Sequence, residues 1–142
     1  LGMKVFIDTG VFIAYFLKQE SSHEDVVRKY AFYSQQKATF ITSDYIIDEL
    51  LTWFSAKQPK YLLEKLIDAL DKMEKNGELG FVHIDKTIFR KAREILLKFS
   101  EHKISFTDAT TYVLYKDFSL DEVFTLDRDF KKMRLATSSF YG

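Results

Sequence analysis

Cysteine is absent from all 142 residues. That excludes a thiol nucleophile, a thiolate zinc site and a disulfide framework, and it suits a reducing compartment. No run reaches 18 apolar residues, so no membrane-spanning segment is expected. A charge excess of either sign is also missing: 21 Lys and Arg face 21 Asp and Glu, for a formal charge of zero. A general nucleic-acid binder is usually basic, so broad, non-specific RNA affinity is not expected. A nuclease is still allowed, because bound metal ions can supply the positive charge that meets a phosphate. No low-complexity segment, internal repeat or disordered linker breaks the chain.

What is present is ample material for a core. The composition is 46% hydrophobic, with 14 Phe, 8 Tyr and 1 Trp. A chain of this length fits one domain that needs no covalent or metal staple. Leu1 and Gly2 precede Met3, and the strand pattern starts directly after it. Residues 1–2 therefore read as a remnant of recombinant expression and 3–142 as a single domain. No long apolar segment resembling a secretory signal precedes the first acid, which points to the cytoplasm.

Short runs of β-formers alternate with helical periodicity. Strands are expected at Lys4-Val5-Phe6-Ile7, Ala38-Thr39-Phe40-Ile41, Phe81-Val82-His83-Ile84 and Glu122-Val123-Phe124-Thr125, with a weak fifth at Leu135-Ala136. Helices fill the intervals, with caps expected at Ser43 and Asp85, a start at Pro59 and a stop at Asn76-Gly77. No hairpin turn signals separate the strands. The pattern calls for a parallel sheet covered on both faces, with right-handed connections.

Ligands of such sheets gather beyond the C-terminal strand ends. Asp8 follows Val5-Phe6-Ile7 directly, and Asp127 follows Val123-Phe124-Thr125-Leu126 in the same way. Glu49 borders the apolar arc of the helix carrying Ile46, Ile47, Leu50, Leu51 and Phe54. Asp108 lies near a helix start in Ser105-Phe106-Thr107-Asp108, where Ser105 or Thr107 could be the cap. Taken singly, each has a plain structural reading. Asp8 serves as a helix cap, Glu49 is an exposed helix acid, and Asp108 is a first-turn acid favoured by the helix end. Asp129 reads as a cap, or as a partner of Lys132 or Arg128. Taken together, the four can converge on one sheet edge, where their mutual repulsion implies raised pKa values or bound cations. With oxygen donors alone, Mg²⁺ or Mn²⁺ suits the set better than zinc.

The segments VFIDTGVFIA (5–14), IIDELL (46–51), SFTDA (105–109) and TLDRDF (125–130) resemble, in order and spacing, those of the PIN domain family, and within it the VapC-like toxins. The resemblance implies a three-layer α/β/α sandwich with a five-stranded parallel sheet of order 3-2-1-4-5. It also implies RNA cleavage dependent on Mg²⁺ or Mn²⁺, frequent homodimers, and inhibition by an antitoxin. Its acids fall on Asp8, Glu49, Asp108 and Asp127, which would hold one ion or two. Its supporting hydroxyls fall on Thr9 and on Thr107, with Ser105 close by. Hydrolysis of this kind leaves a 5′-phosphate without using the RNA 2′-OH. Among the basic residues nearby, Arg128 and Lys132 are the candidates for RNA contact.

Other chemistries fit less well. His23, His83 and His102 lack a matching set of partners, and His83 is expected inside a strand as a packed or hydrogen-bonded residue. A receiver-type phosphoacceptor needs paired acids at its first strand and a lysine after a late strand, and a dehalogenase-type phosphatase needs D-x-D where this chain has Asp8-Thr9-Gly10. The remaining alternative is the same fold kept as a protein- or RNA-binding module without nuclease activity.

Overall fold

In the first strand, β1 (Lys4–Ile7), Val5, Phe6 and Ile7 are all buried although they alternate between faces. A strand with both faces covered belongs at the centre of a parallel sheet. The computed structural model, which describes residues 2–138, places it there. After β1 come α1 (Thr9–Phe16), α2 (His23–Gln35), β2 (Thr39–Ser43), α3 (Asp44–Lys57), α4 (Lys60–Lys75) and β3 (Leu79–Val82). Then follow α5 (Lys86–Lys98), a 3₁₀ turn at Ser100–His102, α6 (Phe106–Asp117), β4 (Glu122–Phe124) and the short α7 (Asp129–Lys132).

The sheet is parallel throughout, in the order β3-β2-β1-β4. Register pairs Phe6 with Ile41 on one side and with Val123 on the other. From β1 the chain steps outward to β2 and β3, then returns across the sheet to β4. Right-handed crossovers put α1 to α4 on one face and, after the reversal, α5 and α6 on the other. Helix packing follows that division, with α1 against α2 and α3, α3 against α4, and α5 against α6.

The expected five-stranded sheet of order 3-2-1-4-5 is corrected to four strands among the described residues. Leu135-Ala136 does not make a strand. Arg134 has φ 62°, Leu135 turns into the core, and only an isolated parallel bridge joins Val123 to Thr137. Two backbone bonds make that bridge, from the Val123 N–H to the Ala136 carbonyl at 2.9 Å and from the Ser138 N–H to the Val123 carbonyl at 3.0 Å. The Ser138 hydroxyl adds to them by accepting from the Thr125 N–H and donating to the Thr125 carbonyl, both at 3.1 Å.

The third strand also lies earlier than expected. Gly80, a poor strand former by composition, pairs with Ile41 at its centre, where a Cβ would meet the Ile41 side chain at 3.4 Å. His83 is consequently not inside the strand. It stands past its end, 83% exposed at the side chain, with Nδ1 3.5 Å from Asp44.

Candidate active site

Asp8 leaves the C-terminal end of β1 with its backbone N–H bonded to the Phe124 carbonyl of β4 at 3.0 Å. It is the N-cap residue of α1, but its side chain makes no capping bond. Instead Oδ2 accepts a 2.7 Å hydrogen bond from the Thr125 hydroxyl at the end of β4. The same Thr125 oxygen accepts the Asp127 N–H at 2.9 Å. One threonine thus ties the two strand-end acids together. Asp127 Oδ1 in turn accepts the Asp129 N–H at 2.9 Å, an aspartate turn that launches α7.

Two helices deliver the other acids. On α6, the Ser105 hydroxyl accepts the Asp108 N–H at 3.0 Å, and Asp108 Oδ2 accepts the Ser105 N–H at 3.3 Å. This capping box fixes both the helix start and the carboxylate. On α3, Glu49 is exposed, and its Oε1 accepts a 2.6 Å hydrogen bond from Thr9, the first residue of α1. An open cleft of about 490 Å³ results, lined by Asp8, Glu49, Asp108, Asp127 and Asp129 with Thr9, Gly10, Lys103, Ser105 and Leu126. It lies at the crevice between β1 and β4, where the strand order reverses, the usual ligand position in open α/β sheets.

Negative charge is crowded here, and two of the acids, Asp8 and Asp108, are buried. Burial raises the Asp8 carboxyl to about 7, assisted by the charges of Asp108 and Asp127 and opposed by the Thr125 hydrogen bond. Burial likewise raises Asp108 to about 6, with Asp127 and Asp129 adding to the effect and the Ser105 bonds opposing it. Carboxylate oxygens of Asp108, Asp127 and Asp129 lie within 4.8 Å of one another. All the carboxylate donors are oxygen, and no histidine lines the cleft. Such a set fits a hard divalent cation such as Mg²⁺ or Mn²⁺, which would relieve the repulsion that adds to burial in raising the two pKa values.

All four acids singled out from the sequence line this cleft, as do Thr9, Ser105 and Asp129. Asp129 is drawn in more closely than its reading as a cap suggests, while also holding Lys132 at 3.0 Å. Thr107 does not line the cleft, and its carbonyl accepts the Thr110 hydroxyl. Arg128 and Lys132 lie outside the lining as well. The cation that does line it is Lys103, which the sequence reading missed. It follows the 3₁₀ turn with φ 53°, and this left-handed kink joins α5 to the Ser105 cap. A basic residue two positions before the cap of an acid-bearing helix was the available signal.

The PIN domain family matches residues 5–135, nearly the whole chain. The chain belongs to this family. It is 28% identical over 121 residues to a VapC ribonuclease of Archaeoglobus fulgidus, covering 83% of this chain and 74% of that protein. Among solved structures, this PIN domain is similar to Mycobacterium tuberculosis VapC20, described as a sarcin-ricin loop cleaving toxin. The TM-score is 0.80 at 17% identity, over 93% of this chain and 96% of that one. It is similar also to FitAB bound to a DNA fragment, with a TM-score of 0.75 at 15% identity over 97% and 96% of the two chains. VapBC2 of Rickettsia felis, solved on a promoter DNA fragment, gives 0.73 at 13% identity, over 96% and 98%. These structural likenesses are likenesses of fold. Among the described residues of the PIN domain, no helix is long and apolar enough to cross a membrane.

Proposed function

We propose that this PIN domain is an endoribonuclease that hydrolyses RNA phosphodiester bonds with Mg²⁺ or Mn²⁺, and that it is the toxin of a toxin–antitoxin pair. The observation that carries the reading is the meeting of Asp8, Glu49, Asp108 and Asp127, from four separate elements, in one cleft where two of them are buried. The similar VapC ribonuclease supports the RNA substrate, and a similar toxin–antitoxin complex from Klebsiella pneumoniae (TM-score 0.70, 14% identity) supports an antitoxin partner.

These four acids would hold the metal together with Asp129, whose carboxylate already converges with those of Asp108 and Asp127. When bound, the ion supplies charge neutralisation at the phosphodiester and lowers the pKa of water. The chain's own residues set the geometry. Thr125 orients Asp8, Thr9 orients Glu49, and the Ser105 cap holds Asp108 to the helix start. Such supporting bonds fix the direction of a ligand's lone pairs.

Cleavage of RNA in Mn²⁺, compared between wild type and Asp8→Asn, tests the reading. The variant keeps an acceptor for Thr125 but loses the charge. It should lose more than the roughly 10- to 100-fold that removing a supporting hydrogen bond costs at metal sites. A folded wild type that cuts no RNA with either metal would instead indicate a binding module.

A further inference from the structure

Five carboxylates line the cleft, those of Asp8, Glu49, Asp108, Asp127 and Asp129. Fully ionised, they outweigh the charge of even two divalent cations. A phosphodiester brings a further negative charge, and a site of net negative potential repels it. Holding it therefore calls for a cation from the chain itself. Arg128 and Lys132, the candidates from sequence, stand outside the lining, and Lys132 is already held by Asp129 at 3.0 Å. Among the described residues, Lys103 is the cation that lines the cleft.

The backbone of Lys103 is pinned on both sides. Its N–H bonds to the Ser100 carbonyl at 3.3 Å, Ile104 after it is buried, and Ser105 then caps α6 and shares the lining. A lysine in the left-handed region, at φ 53°, is uncommon, since glycine or asparagine costs less there. The side chain, by contrast, is uncommitted. Among the described residues its ammonium has no ion pair and lies over no aromatic ring, although the cleft it lines is full of acids. Glu101, two residues earlier, is outside the lining. The base of the arm is fixed and its charged end is free. We infer that Lys103 is a substrate-binding residue, whose ammonium donates to a non-bridging oxygen of the RNA phosphodiester hydrolysed in the cleft. This rests on the nuclease reading and adds to it the residue that brings the phosphate among the acids. An ammonium is a mobile point charge, suited to an oxygen that gains charge as the phosphate is attacked.

Lys103→Gln removes the charge and Lys103→Arg keeps it. Total RNA, cut in Mn²⁺ well below saturation, should be cleaved roughly 10- to 100-fold more slowly by the glutamine variant and at close to the wild-type rate by the arginine variant. Fluorescence anisotropy of a labelled oligouridylate, in Ca²⁺ in place of Mn²⁺, should show the salt dependence of binding flattened by about 0.7 in log–log slope in Lys103→Gln, the share of one phosphate contact. The rise in melting temperature on adding Mn²⁺ should be at least as large in Lys103→Gln as in wild type, because the lysine repels the ion rather than holding it. A smaller rise, or equal losses of cleavage with glutamine and arginine, would mean damage to the site itself and overturns the contact. So does a larger rise with RNA binding unchanged, which makes the lysine a counter-charge for the acids alone. Failure of the two readings is distinguishable. If wild type cuts RNA and Lys103→Gln cuts and binds it equally well, the contact is wrong and the nuclease stands. If wild type cuts nothing, the nuclease reading falls and the salt slope decides alone: flattened in Lys103→Gln, the phosphate contact stands, and unflattened, it falls too.

Discussion

Asp8 is 8% exposed and has a threonine hydroxyl for company but no ion-pair partner among the described residues. Its folded pKa is about 7 against an ordinary 3.8, so between those values the native state keeps a proton that the unfolded chain has released. Stability therefore falls as pH rises through that window, and Asp108 adds to the fall up to about 6. In EDTA, urea unfolding should show Asp8→Asn to be more stable than wild type at pH 8, by on the order of 2 kcal/mol. The gain should vanish near pH 4, where both carboxyls are neutral. Equal stability of the two proteins at pH 8 would contradict the burial argument. Thr125→Val asks the converse question. It keeps a β-former at the end of β4 but strips partners from Asp8 and from the Asp127 N–H. The expected cost is about 1–3 kcal/mol in unfolding free energy, with Mn²⁺-dependent cleavage reduced roughly 10- to 100-fold. At this scale Asp8 and Asp127 were legible because an acid ending an apolar run has few other places to be. Glu49 was less so, since an exposed helix acid reads the same whether or not it reaches a cleft. Lys103 was missed although it stands two positions before the Ser105 cap, because its reach into the cleft depends on its own left-handed backbone at φ 53°.

The start of α6 shows how an element can hold a carboxylate at a cleft. Ser105 and Asp108 satisfy each other's backbone N–H groups, so the cap of the helix is also the clamp on the carboxylate. Ser105→Ala should lower stability by about 1 kcal/mol in urea unfolding. Ser105→Asp, which restores an N-cap acceptor, should recover most of the stability while adding a charge to an already acidic cleft. If the alanine variant unfolds like wild type, the cap is not what fixes the helix. The sequence left Ser105 and Thr107 both open as the cap, because each precedes the acid by a plausible distance. The choice falls to Ser105 because Thr107 is already inside the helix. Helices with a clear apolar stripe were readable, as were the caps at Ser43 and Asp85. The fifth strand was not: two apolar residues look alike whether they extend a sheet or plug the core, and Arg134 at φ 62° turns Leu135 to the second use. The displaced third strand failed for a related reason, as Gly80 reads as a break where the backbone simply continues.

Across the whole molecule, the decisive feature is the reversal in strand order. β1 has β2 on one side and β4 on the other, so segments more than a hundred residues apart place Asp8 and Asp127 at one crevice. Parallel packing with both faces covered was predictable from short strands that alternate with helices and lack hairpin turn signals between them. That the acids share one cleft required the crossovers, which no single segment encodes. The clustered carboxylates repel one another, so a cation bound among them would register as added stability. A ligand at 100 times its dissociation constant adds about 2.7 kcal/mol to the folded state, which corresponds to several degrees in melting temperature for a domain of this size. Mn²⁺ should therefore raise the melting temperature of wild type and leave that of Asp108→Asn nearly unmoved. Protons compete for the same carboxylates, since Asp8 must release one near pH 7 and Asp108 near pH 6 before either can serve as a charged ligand. At fixed Mn²⁺ the shift should accordingly be larger at pH 8 than at pH 5. A shift equal at both values, or equal in the Asp108 variant, would place the metal on other groups than these.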